Sequence, residues 1–189
     1  MAADLPADLR GRLAELQRDL SGMPLPVRWV EASGIHLTLK FLGEVPAARL
    51  EEIETALAAA GGGLRAFRLE ATRAVPFPSR GAPRIIWVEV RGDLEDARVL
   101  ASALDAAAAR LGFPPETREF RAHLTLGRVK GPAHGDWRAS LERVAGAASG
   151  PWSVTHYVLY ESRLDPRGAI YAELRRFPLA GEAVAGGET

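Results

Sequence analysis

The chain has 189 residues, 47% of them hydrophobic and 25% charged, with 24 basic residues balanced by 24 acidic ones and no cysteine. This describes a folded protein able to bury roughly 70% of its unfolded surface. It excludes a disordered chain, a disulfide scaffold, thiolate catalysis, Cys-ligated zinc, and a protein that coats long nucleic acid through net charge. Of the basic residues 22 are arginine, a bias that also fits the Ala- and Gly-rich composition of GC-biased coding. No apolar run approaches the ~20 residues needed to cross a bilayer. The start MAADLPADLR lacks the basic and apolar regions of a secretory signal, so the chain reads as cytoplasmic.

In chain order, Leu9, Leu13, Leu16 and Leu20 recur at helical spacing and predict an amphipathic helix over about residues 5–20, opened by Pro6. VRWV at 27–30 and IHLTLKFL at 35–42 read as strands separated by the turn-like EASG. Pro46 opens a second helix, with Leu50, Ile53 and Leu57 on one face and GGG at 61–63 ending it. FRLEATRAV at 67–75 and RIIWVEV at 84–90 are strands joined by PFPSRGAP. Asp93 is the expected N-cap of a third helix, whose Ala97, Leu100, Leu104, Ala108 and Leu111 form a stripe stopped by Gly112. RAHLTLGRV follows as a strand. A short helix near Asp136 then turns Trp137, Leu141 and Val144 inward, and SVTHYVLYE and AIYAELRRF close the chain as an antiparallel pair. The order predicts an α+β fold: a bilobal duplicated unit, antiparallel sheets flanking a central cleft, helices on the outer faces. Nothing marks an internal boundary, so residues 1–189 are expected to form one bilobal domain.

The chemistry rests on a repeat. HLTL stands at 36–39 and again at 123–126, 87 residues later, and uses two of the four histidines. On a strand, residues i and i+2 share a face. Each tetrapeptide therefore presents an imidazole and a hydroxyl together and anchors itself by two leucines behind. If the two strands are neighbours, His36, Thr38, His123 and Thr125 converge. Two imidazoles bracketing a phosphorus can take a proton from attacking water and give one to the leaving oxygen, while the hydroxyls bind the non-bridging oxygens. No His-x-His, HExxH or cysteine completes a metal site, so no metal or other cofactor is expected. His134 and His156 have no threonine two residues on and read as structural or solvated.

With these residues in place, the chain resembles the two-histidine phosphoesterase superfamily, and within it the RNA 2′,3′-cyclic phosphodiesterases also called 2′-5′ RNA ligases. The matching stretches are RWVEASGIHLTLKFLGEV, VPFPSRGAPRIIWVEV, GFPPETREFRAHLTLGRVK and VLYESRLDPRGAIYAELRRFPL, spanning about residues 28–179. The resemblance implies metal-independent hydrolysis of a 2′,3′-cyclic phosphate to a 2′-phosphate, with reversible 2′-5′ ligation as a second reaction. It implies RNA ends, tRNA halves among them, or small cyclic nucleotides as partners, and no membrane or obligate protein partner. His36, Thr38, His123 and Thr125 carry over as the catalytic set, Arg128 as the arginine beside phosphate and base, and Phe41 as the aromatic near the base. Strict alternation from His36 puts Phe41 on the leucine face. Arg80 and Arg84, in the loop before a strand, are further expected cleft residues. Alternative substrates are ADP-ribose cyclic phosphate and 2′-5′ oligoadenylate, and a non-catalytic RNA-end or nucleotide-binding module is the alternative class. Two departures stand out: Ala122 where the family has proline, and MAADLP where it has a strand of the type RLFIAIDLP. The first strand is therefore expected to be missing, leaving its neighbours short of ladder partners.

Overall fold

A computed structural model describes residues 1–22, 25–132, 137–144, 150–165 and 168–181. The elements run β1 (Ala2–Ala3), α1 (Ala7–Ser21), β2 (Val27–Trp29), β3 (Leu37–Thr38), α2 (Leu50–Gly61), β4 (Phe67–Phe77), β5 (Ile85–Gly92), α3 (Leu94–Arg110), β6 (His123–Val129), α4 (Trp137–Val144), β7 (Gly150–Val154), β8 (His156–Asp165) and β9 (Gly168–Pro178). Short 3-10 turns cover Ala32–Gly34 and Ala47–Arg49.

The α+β class is as expected. The strands of the two halves are joined in one antiparallel sheet of order β7-β4-β5-β6-β3-β1-β8-β9, with β2 added against β6. The joint falls between β6 and β3, the two HLTL strands. One face carries Leu37, Leu39, Leu124, Leu126, Ile86 and Val88, which share a single buried cluster with Leu9, Leu13, Leu16 and Leu20 of α1, Ile53 and Leu57 of α2, and Leu100 and Leu104 of α3. Three leucine-striped helices thus cover the leucine face, and the histidine face is left for chemistry.

Three local differences from the sequence reading have physical causes. The first-strand slot is filled: Ala2 pairs with Thr38 on β3 and with Val158 on β8, and the Met1 carbonyl accepts the N–H groups of Leu39 and Lys40. Two alanines have no periodicity to read, yet their backbone bridges the neighbours. Second, the run 153–161 breaks at Thr155 into β7, which pairs with β4, and β8, which pairs with β9. Third, the Asp93 carboxylate accepts the N–H of Arg68 at 2.8 Å in place of capping its own helix. In α4, Leu141 and Val144 pack on the core, while Asp136, His134 and the Trp137 side chain lie outside the described residues.

Gly61 does more than end α2. The fully buried Tyr157 donates its hydroxyl to the Leu57 carbonyl at 2.6 Å, and its ring fills the space that a Cβ on Gly61 would need. Gly61→Ala is expected to destabilise the fold by about 1–3 kcal/mol, the usual effect of overpacking. Urea denaturation measures it, and an unchanged midpoint would contradict this packing.

Candidate active site

The register across the joint organises the site. Leu37 is the direct partner of Leu124 on the antiparallel neighbour. Extending that register by one residue each way sets His36 opposite Thr125 and Thr38 opposite His123, all four on the face away from the leucines. The two tetrapeptides are thus related by a local two-fold. The histidines lie on its diagonal, where side-chain origins are roughly 7–8 Å apart.

Each imidazole is held in the same way. His123 Nδ1 bonds the Arg121 carbonyl at 2.7 Å, and His36 bonds the carbonyl of Gly34. In both cases the acceptor is two residues upstream. A carbonyl can only accept, so Nδ1 of His123 carries the proton and Nε2 is left facing the site.

Aromatic rings wall both histidines. The His36 ring stacks on Tyr160 at 5.9 Å and meets the edge of Tyr171 at 4.8 Å. His123 lies 4.3 Å from Trp87, which in turn stacks on Phe77 at 4.3 Å. Tyr160 donates to Asp4 at 3.2 Å, and Asp4 also accepts from Arg10. Burial pushes the Tyr160 hydroxyl up to about 12, so it stays a neutral donor.

Burial also pushes His36 down to about 4, helped by the positive charge of the Met1 amino group, and lowers His123, where Arg128 adds to the effect. Both imidazoles are therefore neutral at pH 7. An anion held between them favours the charged forms and raises both values.

Arg128 reaches this face through a β-bulge. Along β6, alternation from His123 would send residue 128 to the leucine side. Trp87 pairs with Thr125 and Ile86 with Gly127, so β6 carries one extra residue at that point. The bulge turns Arg128 to the side of its partner Ile85, which lies two residues from Trp87 on the histidine face. The Leu126 carbonyl accepts the Val30 N–H at 2.8 Å and Gln17 Nε2 at 2.9 Å, so α1 holds the bulge in place. Gly127 permits it, because a Cβ there would run into Val27 and Trp29 of β2.

The chain leaves the ladder after Thr38, and Leu39 and Lys40 both turn inward; Lys40 is 6% exposed and pairs with Asp105 at 2.6 Å. Phe41 is consequently thrown outward at 74% exposure and does not sit on the leucine face. Arg80 is exposed in the loop before β5. Arg84 bonds through its backbone to Phe77 and Val129, and its side chain is exposed. His156 is half-buried, with Nδ1 3.1 Å from the Thr155 hydroxyl and 120 residues along the chain from His36. A groove of about 1010 Å³ begins at Trp87, beside His123, and is lined by the ion pairs Arg73–Glu89 and Arg91–Glu70 among others.

An antiparallel α+β sheet with two His-x-Thr strands side by side at its centre defines a two-histidine phosphoesterase. The chain belongs to the LigT-like phosphoesterases, whose family model matches residues 4–87 and 89–171. It is 33% identical over 180 residues to the RNA 2′,3′-cyclic phosphodiesterase of Methanothermobacter thermautotrophicus, covering 95% of this chain and 97% of the other. A crystal structure from Thermus thermophilus superimposes with a TM-score of 0.78 at 28% identity, covering 96% and 97% of the two chains. Escherichia coli LigT complexed with 3′-AMP gives 0.73 at 27% identity, covering 95% and 96%.

Proposed function

We propose that this protein hydrolyses the 2′,3′-cyclic phosphate of RNA ends and small nucleotides to a 2′-phosphate in the cytoplasm, without a metal, using His36 and His123 as an acid–base pair. The observation that carries the reading is the pairing of Leu37 with Leu124 across adjacent strands, a register that sets His36 opposite Thr125 and Thr38 opposite His123. Water attacks phosphorus and loses a proton to His123. The bond from phosphorus to the 3′-oxygen breaks, and that oxygen takes its proton from His36. The threonine hydroxyls donate to the non-bridging oxygens as charge accumulates there. With a 5′-hydroxyl in place of water the same pair would serve 2′-5′ ligation: the hydroxyl attacks the cyclic phosphate and loses its proton to His123, and the 3′-oxygen leaves with the proton from His36.

The test is incubation with 2′,3′-cyclic AMP and a cyclic-phosphate-ended oligonucleotide in EDTA, with products resolved by chromatography or phosphorus NMR. Turnover to the 2′-phosphate is expected. Binding without turnover would leave a nucleotide-binding module, and a 3′-phosphate product would contradict the assigned leaving group.

The pH profile follows from the lowered histidines. A pair that needs one proton is active between its two apparent pKa values, which belong to the pair. Both imidazoles sit below the ordinary value of about 6.5, so kcat/KM, which reports the free enzyme, should peak on the acid side of it and fall toward higher pH. The phosphate anion raises both values, so the kcat profile should lie at higher pH. Coincident kcat and kcat/KM profiles centred above pH 7 would contradict this electrostatic reading.

A further inference from the structure

Beyond the catalytic four, the histidine face carries a second row of charge. Arg28 of β2 is the direct ladder partner of Arg128, and Arg128 that of Ile85 on the other side. Direct partners share a face, so the bulge that turns Arg128 toward the histidines sets Arg28 there as well. The burial pattern agrees: Val27 and Trp29 pack on the core, and Arg28 and Arg128 are exposed. The row lies one pleat repeat beyond His36 and Thr125, roughly 6.6 Å along the strands. That is comparable with the step from a terminal cyclic phosphate to the next phosphate along an RNA strand.

We propose that Arg28, with Arg128, binds the phosphodiester on the 5′ side of the terminal nucleotide, making this a subsite that favours RNA ends over mononucleotides. The inference rests on the reading of the histidine pair as a cyclic-phosphate site. Two planar guanidinium groups on neighbouring strands can each donate two bonds to one phosphate, a geometry that lysine cannot reproduce. Arg28 is a specificity residue: it touches the substrate one linkage away from the reacting atoms.

The experiment compares 2′,3′-cyclic AMP with the adenylyl dinucleotide ending in a 2′,3′-cyclic phosphate, for the native protein, Arg28→Gln and Arg28→Lys. Binding of the 2′-phosphorylated dinucleotide and mononucleotide is measured alongside by calorimetry at several salt concentrations. The native protein should prefer the dinucleotide in kcat/KM, and Arg28→Gln should lower that preference about tenfold, the low end for a lost charged phosphate contact. The log–log salt dependence of dinucleotide binding should flatten by about 0.7, the single-strand value for one phosphate. Arg28→Lys should keep the salt slope and lose part of the preference. An equal loss on both substrates, or an unchanged preference and salt slope, overturns the subsite. Arg28-dependent dinucleotide binding with neither substrate hydrolysed would keep the subsite and overturn the hydrolytic reading instead.

Discussion

His36→Ala and His123→Ala should each lower kcat/KM by at least ~10²-fold, the low end of a general acid or base contribution. Their response to the leaving group should separate them. A p-nitrophenyl ester of the nucleotide expels an anion that needs no proton, so it should partly restore turnover to His36→Ala and leave His123→Ala inactive. The burial of His36 gives this test its force. Tyr160 and Tyr171 flank that ring, and burial pushes its pKa down to about 4. The productive arrangement, with His36 charged and His123 neutral, is then a minor species until the phosphate anion binds, which lowers kcat/KM more than kcat. Rescue of His123→Ala instead would exchange the two roles and keep the mechanism. Rescue of neither would make both histidines positioning groups. Denaturation curves should show both variants folded, because both rings are on the half-buried face and the leucines of each strand remain.

The helices were legible because each carries its own stripe: Leu9, Leu13, Leu16 and Leu20 need no knowledge of the partner to be read as one buried face. Strands were legible where they were long or alternating. Ala2–Ala3 escaped, since a two-residue strand is defined by its neighbours' hydrogen bonds and has no pattern of its own. The break at Thr155 escaped for a related reason. β7 and β8 are contiguous in sequence, yet β7 forms one edge of the sheet and β8 lies beside β9 at the other end, and only the pairing partners distinguish them. Joining two expected sheets into one is likewise a matter of register, which a single sequence does not encode locally.

The four residues of the candidate site were legible through the period of two, which fixes a face without fixing a neighbour. What surrounds them was not. The upstream carbonyls that orient the imidazoles belong to Gly34 and Arg121, residues with no side-chain signal for that role. Tyr160, Tyr171 and Trp87 come from strands whose position beside the histidines depends on the sheet order. Alternation from His123 sends Arg128 to the leucine face, and only the bulge turns it to the side that the resemblance implied. The one local hint was Gly127 between Leu126 and Arg128, a residue that weakens a strand unless a bulge or close approach requires it. Phe41 shows the opposite failure. Alternation was carried past the end of β3, where Lys40 turns inward to Asp105 and the pattern stops.

Thr38→Val and Thr125→Val should each reduce kcat by about 10²–10³-fold, as removal of an oxyanion donor does, with a smaller change in KM. Valine keeps the branched shape and the strand preference of threonine, so the fold should be preserved and only the hydroxyl lost. The local two-fold predicts comparable losses at the two positions, because the register sets each threonine opposite the histidine of the other strand. The division between kcat and KM is the informative part. The cyclic phosphate is already an anion in the ground state, and its non-bridging oxygens gain further charge as water adds. Loss of donors that hold the ground state and transition state equally would therefore raise KM and spare kcat, while loss of donors aligned to the five-coordinate geometry would lower kcat. Thr→Ser at either position keeps the donor and should recover most of the rate, which a purely packing role for the methyl group would not allow. A loss confined to KM, or serine variants as impaired as valine ones, would remove the hydroxyls from transition-state stabilisation and leave the histidines to act without them.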